Sequence, residues 1–435
     1  MLIRRTQSLC PVCLRRIDAS YVEENNVVYM RKECTDHGVF QVPIWRNQKD
    51  GPTFSSWSRP KTPSYPKNAG TAHHLGCPFD CGLCPEHGQH TCTALVEITN
   101  RCNLHCPVCY ANANIYSQDP PLSDIARRFA TIKKYSGSCN LQLSGGEPTV
   151  REDLIDIIAL AKQHNFALIQ LNTNGLRLGT EVGYAQKLAQ AGLESVYLQW
   201  DGVREETFQH LRGQACLDFK HKALKACAQA GLGIVLVATV VAGINDTELG
   251  DLLRFAINAG DCVRGLHLQP AAYFGRYPYP LLSAPRLTLV EVLTLLTQQS
   301  QNLILPHHMH PPACEHELCS FSAVFSRTDS GLTPINVHDC CSTTPIDASY
   351  GASVSKQFTA LHWKAPQKND AFSRFLSKAG LSKRFTISCM AFQDALSVDV
   401  ARVRGCCIHV VRSDGRMLPF CLHNLTAEDG TKLYD

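Results

Sequence analysis

The chain has 435 residues, 44% of them hydrophobic and 18% charged, with a formal net charge of +4 at neutral pH. That length allows two or three domains with one large core, and the small charge, without a Lys/Arg run, argues against nucleic acid as a partner. The longest apolar run, residues 233–244, is too short to cross a bilayer, and the first residues lack the apolar stretch of an export signal, so 22 cysteines point to metal ligation in a reducing cytoplasm.

Residues 1–50 carry Cys10-x2-Cys13, a hairpin-like segment over 21–30, and Cys34-x2-His37. Four soft donors on two knuckles suit tetrahedral zinc or a single iron, and the expected role is a folding staple. Residues 51–93 open as a Pro/Ser/Gly-rich connector. They then present Cys77-x3-Cys81-x2-Cys84 with Cys92 seven residues later, a full ligand set for an auxiliary cluster or zinc.

After an apolar, strand-like segment over 94–99 the same spacing recurs as Cys102-x3-Cys106-x2-Cys109. Three thiolates can hold three irons of a four-iron, four-sulfur cluster and leave the fourth open to a ligand. This set has no fourth cysteine close by, so it is the expected catalytic one.

From 94 to 271 strand-like segments (94–99, 140–143, 167–171, 195–200, 234–241 and 265–269) alternate with amphipathic ones (122–135, 152–164, 181–191, 219–230 and 247–259). This alternation predicts an α/β fold with a parallel sheet, a partial (β/α)6 barrel of the TIM type. Right-handed crossovers put the loops after the strands on one face, where the sites of such barrels lie. These loops hold Ser144, Gly145, Gly146 and Glu147, where glycines allow close backbone approach and the carboxylate can bind an ammonium group. They also hold Asn172 and Asn174, which can meet a ribose or form an Asx turn closed by Gly175. Gln199 and Asp201 follow the fourth strand, and Gly243 follows the fifth, where it would allow packing near an adenine. Cys139, Cys216, Cys227 and Cys262 read as buried structural thiols.

Past residue 275 the pattern changes, with an aromatic, Pro-rich stretch, a helix over 287–299 and a polar turn carrying His307, His308 and His310. A second cysteine-rich region follows: Cys314, Cys319, the pair Cys340-Cys341, Cys389, the pair Cys406-Cys407, and Cys421. Because adjacent cysteines rarely share one metal, one of each pair is expected to be a spectator. The favoured ligand set is Cys314, Cys319, Cys407 and Cys421, with Cys421 delivered by a short hairpin strand. The expected division is therefore an N-terminal zinc-ribbon or rubredoxin-like module at 1–50, a connector with an auxiliary metal site at 51–93, a core barrel at 94–275 and a C-terminal substrate and auxiliary-cluster domain at 276–435.

The C-x3-C-x2-C motif with Ser-Gly-Gly-Glu-Pro one strand later closely resembles the radical S-adenosylmethionine (radical SAM) superfamily. Val108 stands where most members carry an aromatic residue. Tyr110 follows the third cysteine, in a stretch whose backbone meets the adenine in the family, and it is counted with the cofactor-binding residues. Over nearly the whole chain, the opening knuckles, Cys-Pro-Phe-Asp-Cys-Gly-Leu-Cys-Pro-Glu-His and Pro-Ala-Cys-Glu-His-Glu-Leu-Cys resemble the branch of archaeal tetraether lipid synthases and 7,8-dihydro-6-hydroxymethylpterin methylases. The resemblance implies a catalytic 4Fe-4S cluster on Cys102, Cys106 and Cys109, S-adenosyl-L-methionine chelated to its open iron, one or two auxiliary 4Fe-4S clusters, and one zinc or mononuclear iron. It implies reductive cleavage to a 5′-deoxyadenosyl radical, then methylation or carbon–carbon bond formation at an unactivated carbon of a pterin-like or lipid substrate. The expected electron donor is a flavodoxin or ferredoxin, and a lipid substrate would bring peripheral membrane contact. The competing readings are a peptide-modifying radical SAM enzyme and, from another class, a non-catalytic iron-sulfur or zinc scaffold.

Overall fold

The structure, a computed structural model, describes residues 1–328, 331–335, 344–365 and 383–434. The N-terminal strands β1 (Leu2–Leu9), β2 (Arg16–Glu24), β3 (Val27–Cys34) and β4 (Gly38–Arg46) form an antiparallel sheet in chain order. Asn25 and Asn26, at φ 50° and 64°, make the left-handed pair that a two-residue hairpin between β2 and β3 requires. Along β3, Val28, Met30, Lys32 and Cys34 are buried while Arg31 and Glu33 are exposed, the period of two of a half-buried strand. This sheet is anchored to the rest of the chain by Asp399, whose carboxylate accepts from Arg4 (3.2 Å), Thr6 (2.6 Å) and Tyr21 (2.7 Å). Farther on, the short β5 (Lys61–Thr62) pairs with β14 (Ile346–Asp347).

The main sheet contains β6 (Thr93–Thr99), β7 (Asn140–Gly145), β8 (Leu168–Thr173), β9 (Ser195–Gln199), β10 (Gly233–Val240) and β11 (Val263–Pro270), parallel and in chain order. These are the six strands expected from the sequence, and the partial TIM-type barrel holds. Every residue of β10 except Thr239 is buried, so its near-continuous apolar run reflects cover on both faces. The helices between strands are α1 (Leu122–Ser136), α2 (Leu154–Gln163), α3 (Leu176–Thr180), α4 (Tyr184–Ala191), α5 (Glu205–Arg212), α6 (Leu217–Gln229) and α7 (Leu249–Asn258), followed by α8 (Leu289–Gln299). The single helix expected over 181–191 begins only at Tyr184, after Gly183 in the left-handed region (φ 79°), and α5 had no counterpart in the sequence reading.

The later part of the chain extends this sheet at both edges. β15 (Arg384–Met390) adds parallel to β11, and antiparallel β12 (Ser320–Thr328) and β13 (Gly331–Pro334) follow it. At the opposite edge β16 (Ile408–Val411) adds parallel to β6 and pairs with β17 (Met417–Pro419). Helix α9 (Ala348–His362) is capped by Asp347, which accepts from the Tyr350 amide. Among the described residues no helix is long and apolar enough to cross a membrane.

Candidate active site and metal centres

A cavity of about 470 Å³ lies at the C-terminal ends of the parallel strands. It is lined by residues two apart on successive strands: Gln142 and Ser144 on β7, Tyr197 and Gln199 on β9, Val237 and Thr239 on β10, His267 and Gln269 on β11. This is the inward-facing set that a period of two produces on a curved sheet. Cys102, Cys106 and Cys109 line the same cavity and share one small apolar cluster with Leu104 and Ala113.

The loop that carries them is held by the chain around it. Cys109 and Arg276 exchange backbone hydrogen bonds at 2.8 and 2.9 Å, and the Arg276 guanidinium donates to the Cys106 carbonyl at 2.9 Å. The Leu104 amide donates to the Cys102 sulfur at 3.4 Å. Burial pushes the Cys102 thiol up to about 12, so loading a metal here expels a proton. Arg276 was not singled out in the sequence; it reads there as one more loop arginine, and only the fold carries it to the cysteine loop.

Gly145, Gly146 and Glu147 line the cavity where expected, and the packing of their loop gives them a further role. A Cβ on Gly145 (φ 130°) would lie 2.0 Å from the Thr99 carbonyl oxygen, and one on Gly146 2.2 Å from that of Arg101. The amides of Gly146 and Glu147 donate to those same two carbonyls, each at 2.8 Å. The glycines therefore let the loop after β7 pack against the strand end that leads into the cysteine loop. The Glu147 carboxylate is also committed: it accepts from the Thr149 amide and hydroxyl (3.1 and 2.5 Å), the Thr173 hydroxyl (2.6 Å) and the Asn174 amide (2.7 Å). Burial raises its pKa against these bonds. It braces two loops through Oε1, while Oε2 accepts only from the Asn174 amide and keeps a lone pair for a further donor.

Ser144 and Tyr110 share a hydroxyl–hydroxyl bond of 3.0 Å at the cavity wall. Asn174 donates to the Asn103 side chain at 2.8 Å, tying the third strand's loop to the cysteine loop. Asn172 also lines the wall, and its Oδ1 is buried without a protein partner. Gln199 lines the cavity and donates to Asp201. Asp201, expected among the cofactor contacts, does not line the cavity and binds the Arg212 guanidinium behind its wall at 2.6 and 2.7 Å. Gly243 is away from the cavity lining. It turns the chain in the left-handed region (φ 76°), in a loop fixed by Asn245, which accepts from the Val241 amide and donates to the Asp201 and Thr239 carbonyls.

The remaining cysteines divide differently from their spacing. Cys10, Cys13, Cys34 and His37 converge as expected, with donor atoms within 4.8 Å of one another. A 3.4 Å contact to His37 lowers the Cys34 thiol to about 7. Cys92, however, does not complete the Cys77, Cys81 and Cys84 set: it joins Cys314 and Cys407 in a second group within 4.8 Å. The Cys92 amide hydrogen-bonds the Cys407 carbonyl where β16 meets β6, and this pairing, unseen in the spacing, brings the two sulfurs to 3.1 Å. That exceeds a disulfide bond length. Cys77, Cys81 and Cys84 are all buried, and Cys77 and Cys84 lie near enough to Cys81 to push its thiol up. Cys319 and Cys421, expected with Cys314 and Cys407, line a small cavity that Cys406 and Cys407 also line, but they do not join the compact Cys92, Cys314 and Cys407 group. Cys340 and Cys341 lie outside the described residues. Of the histidine turn, His310 reaches the main cavity.

The donor chemistry fits the cofactors that the motif implies: a thiol trio on the wall of a barrel mouth, an unsatisfied amide oxygen on the same wall, and one member of a second thiol group, Cys92, reaching the same space.

Comparison with known proteins gives a consistent result. A family model described as the Radical SAM superfamily matches residues 96–256, and one described as the HMPTM N-terminal zinc ribbon domain matches residues 2–46. The chain is 33% identical to a 7,8-dihydro-6-hydroxymethylpterin dimethyltransferase of Methanocaldococcus jannaschii, over 97% of this chain and 93% of that protein. It is 34% identical to a GTP 3′,8-cyclase of Paenarthrobacter nicotinovorans over 43% of this chain and 54% of that one. Among solved structures, Streptococcus suis SuiB aligns over 49% of this chain and 46% of its own at TM-score 0.40 and 15% identity, too distant to bear on the argument.

Proposed function

The protein belongs to the radical SAM superfamily, in the family of the 7,8-dihydro-6-hydroxymethylpterin dimethyltransferase, and we propose that it methylates a carbon of a pterin-like small molecule held in the barrel cavity. The observation that carries this reading is the thiol trio Cys102, Cys106 and Cys109 on the wall of a 470 Å³ cavity in a chain so similar to that relative along nearly its whole length. When bound, the 4Fe-4S cluster and S-adenosyl-L-methionine supply reductive cleavage of a carbon–sulfur bond and the 5′-deoxyadenosyl radical that removes a hydrogen atom.

The chain's own residues orient and shield. Cys102, Cys106 and Cys109 would hold the cluster. Tyr110, Ser144, Asn172, Asn174 and Gln199 would contact S-adenosylmethionine, with Gly145, Gly146 and Glu147 together holding its amino group. Deeper in the cavity, Tyr197 stacks obliquely on Trp363 (centroids 5.5 Å apart) and on His267 (5.4 Å). His267 is fixed by Ser388 at 2.8 Å, and burial lowers its pKa to about 3, so it faces the substrate neutral. This aromatic wall suits a flat heterocycle better than an alkyl chain, which favours the pterin reading over the lipid one. Cys10, Cys13, Cys34 and His37 would bind the ribbon's zinc or iron. Cys77, Cys81 and Cys84 would form one auxiliary centre, and Cys92, Cys314 and Cys407, of which Cys92 lines the cavity, another. A flavodoxin or ferredoxin of a reducing cytoplasm would provide electrons, in keeping with the many free thiols.

The test is anaerobic turnover with methyl-labelled S-adenosylmethionine and 7,8-dihydro-6-hydroxymethylpterin. Labelled pterin and 5′-deoxyadenosine are expected from wild type, and neither from Cys106→Ala. Equal 5′-deoxyadenosine from that variant, or no label in the pterin, would overturn the reading.

A further inference from the structure

The cysteine loop has two sides. One lines the cavity in which S-adenosylmethionine and substrate would sit. On the other, Asn103 and His105 face solvent, while their neighbours Cys102, Leu104 and Cys106 are buried. Beside this outer side the chain turns at Ile115 and Tyr116, which are 62% and 87% exposed. We propose that the turn at 114–117, with the outer side of the cysteine loop, is the docking surface for an acidic one-electron carrier protein. The proposal rests on the preceding reading only in taking Cys102, Cys106 and Cys109 as ligands of a cluster that has to be reduced.

Three observations carry it. The turn is joined to a cluster ligand: the Cys102 amide donates to the Asn114 carbonyl at 3.1 Å, and the Asn114 amide donates to the Asn100 carbonyl at 3.2 Å. A carrier seated on the turn is thus linked to Cys102 by a short run of chain and one hydrogen bond. The cavity side is given over to cofactor and substrate, which leaves the outer side as the way in for an electron. Next, Ile115 and Tyr116 have no internal use. The Asn114 Oδ1 accepts from the amides of Tyr116 and Ser117 (2.9 and 3.1 Å) and from the Ser117 hydroxyl (3.1 Å). Asn114 therefore fixes the turn, and neither apolar side chain joins the buried clusters. Two adjacent apolar side chains held out on a preset turn, one of them a tyrosine, are the makings of a binding hot spot.

The third observation is charge. Residues 98–118 contain no Asp or Glu, and Asp119, which follows them, is bound by Arg101 at 2.5 Å. The Arg276 guanidinium donates to the Cys106 and Ala113 carbonyls at 2.9 and 3.3 Å and to the Asn112 side chain at 3.4 Å. Among the described residues it has no carboxylate partner, so a positive charge stands uncompensated next to the turn. A surface of this kind attracts an acidic partner and discriminates against a basic one. In the transfer itself the carrier loses one electron and the oxidised cluster gains it, and no bond forms or breaks at the contact.

The test titrates flavodoxin, an acidic carrier, onto the anaerobically reconstituted full chain by calorimetry. Stopped-flow absorbance then follows cluster reduction by reduced flavodoxin or by dithionite. Ile115→Glu and Tyr116→Glu are each expected to weaken flavodoxin binding, and to slow reduction by it, at least about tenfold through like-charge repulsion at the contact. Both should leave reduction by dithionite as in wild type. Tyr116→Phe is expected to behave as wild type, and added salt to weaken wild-type binding. Flavodoxin binding that is absent from wild type, or unchanged in both glutamate variants, overturns the proposal. Equal slowing with dithionite does so too, since the turn would then only support the cysteine loop. A wild-type dimer that the glutamate variants dissociate in sedimentation also overturns it, by making a second copy of the chain the occupant. Docking that follows the expected pattern in a protein that makes no labelled pterin would sink the methyltransferase reading and leave this surface standing.

Discussion

Arg212 and Asp201 form a two-bonded ion pair, 2.6 and 2.7 Å, with Asp201 fully buried and Arg212 nearly so. From this pair Arg212 reaches the Val108 carbonyl of the cysteine loop at 3.4 Å. Removing one partner of a buried pair strands the other charge, at a cost of about 3–5 kcal/mol. Asp201→Ala should therefore lower the urea midpoint sharply and reduce iron retained by the Cys102 trio. Unfolding curves and iron counts on the same preparation check both effects.

The loop after β7 offers a steric test. An alanine at Gly145 or Gly146 meets a backbone oxygen at 2.0 or 2.2 Å, and backbone has no rotamer by which to yield. The cysteine loop must shift, so 5′-deoxyadenosine formation should fall at least about tenfold, equivalent to about 1.4 kcal/mol of barrier. Glu147→Gln keeps the steric fit but removes the charge that can take an ammonium group at Oε2, so it should weaken affinity for S-adenosylmethionine without moving the cysteine loop. Equilibrium binding of the cofactor checks this.

His267 gives a pH dependence of definite sign. Its folded pKa, about 3 through burial, lies below the ordinary value near 6.5. The unfolded chain thus binds one more proton between those values, and stability falls as pH drops from about 6.5 to 3, by at most about 1.4 kcal/mol per pH unit. His267→Gln should flatten that acid limb in a thermal-melt series.

For the N-terminal ribbon, chelation or Cys34→Ser should unfold β1–β4, because metal binding in such modules supplies about 10–16 kcal/mol of folding free energy. Trp45, only 1% exposed in this sheet, should shift its fluorescence to the red as it meets water. An unshifted emission in the metal-free protein would argue against a structural metal there.

Much of the barrel was legible because each of its strands is a run of buried residues between helical stretches, and local period suffices to find such units. The cysteine trio and the Gly-Gly-Glu loop were legible because both are contiguous. The long-range groupings were not. Cys92 meets Cys407 only because β16 pairs with β6, a contact 315 residues apart that no spacing rule expresses. Glu147 illustrates a second limit: the motif marks its position, but the four donors that occupy its carboxylate come from Thr149, Thr173 and Asn174, two of which belong to the next strand and its loop. β16, four residues long, carries too little pattern to be recognised before its neighbours are known.

The Tyr434 hydroxyl accepts from the Cys81 amide at 3.1 Å and donates to the Pro78 carbonyl. Those partners lie more than 350 residues earlier in the chain. At about 5–20 residues per second of synthesis, the Cys77–Cys84 loop waits roughly 20–70 s on the ribosome before the residue that closes over it exists. A metal that entered this loop during synthesis would stay uncovered on that side until the end of the chain folds back.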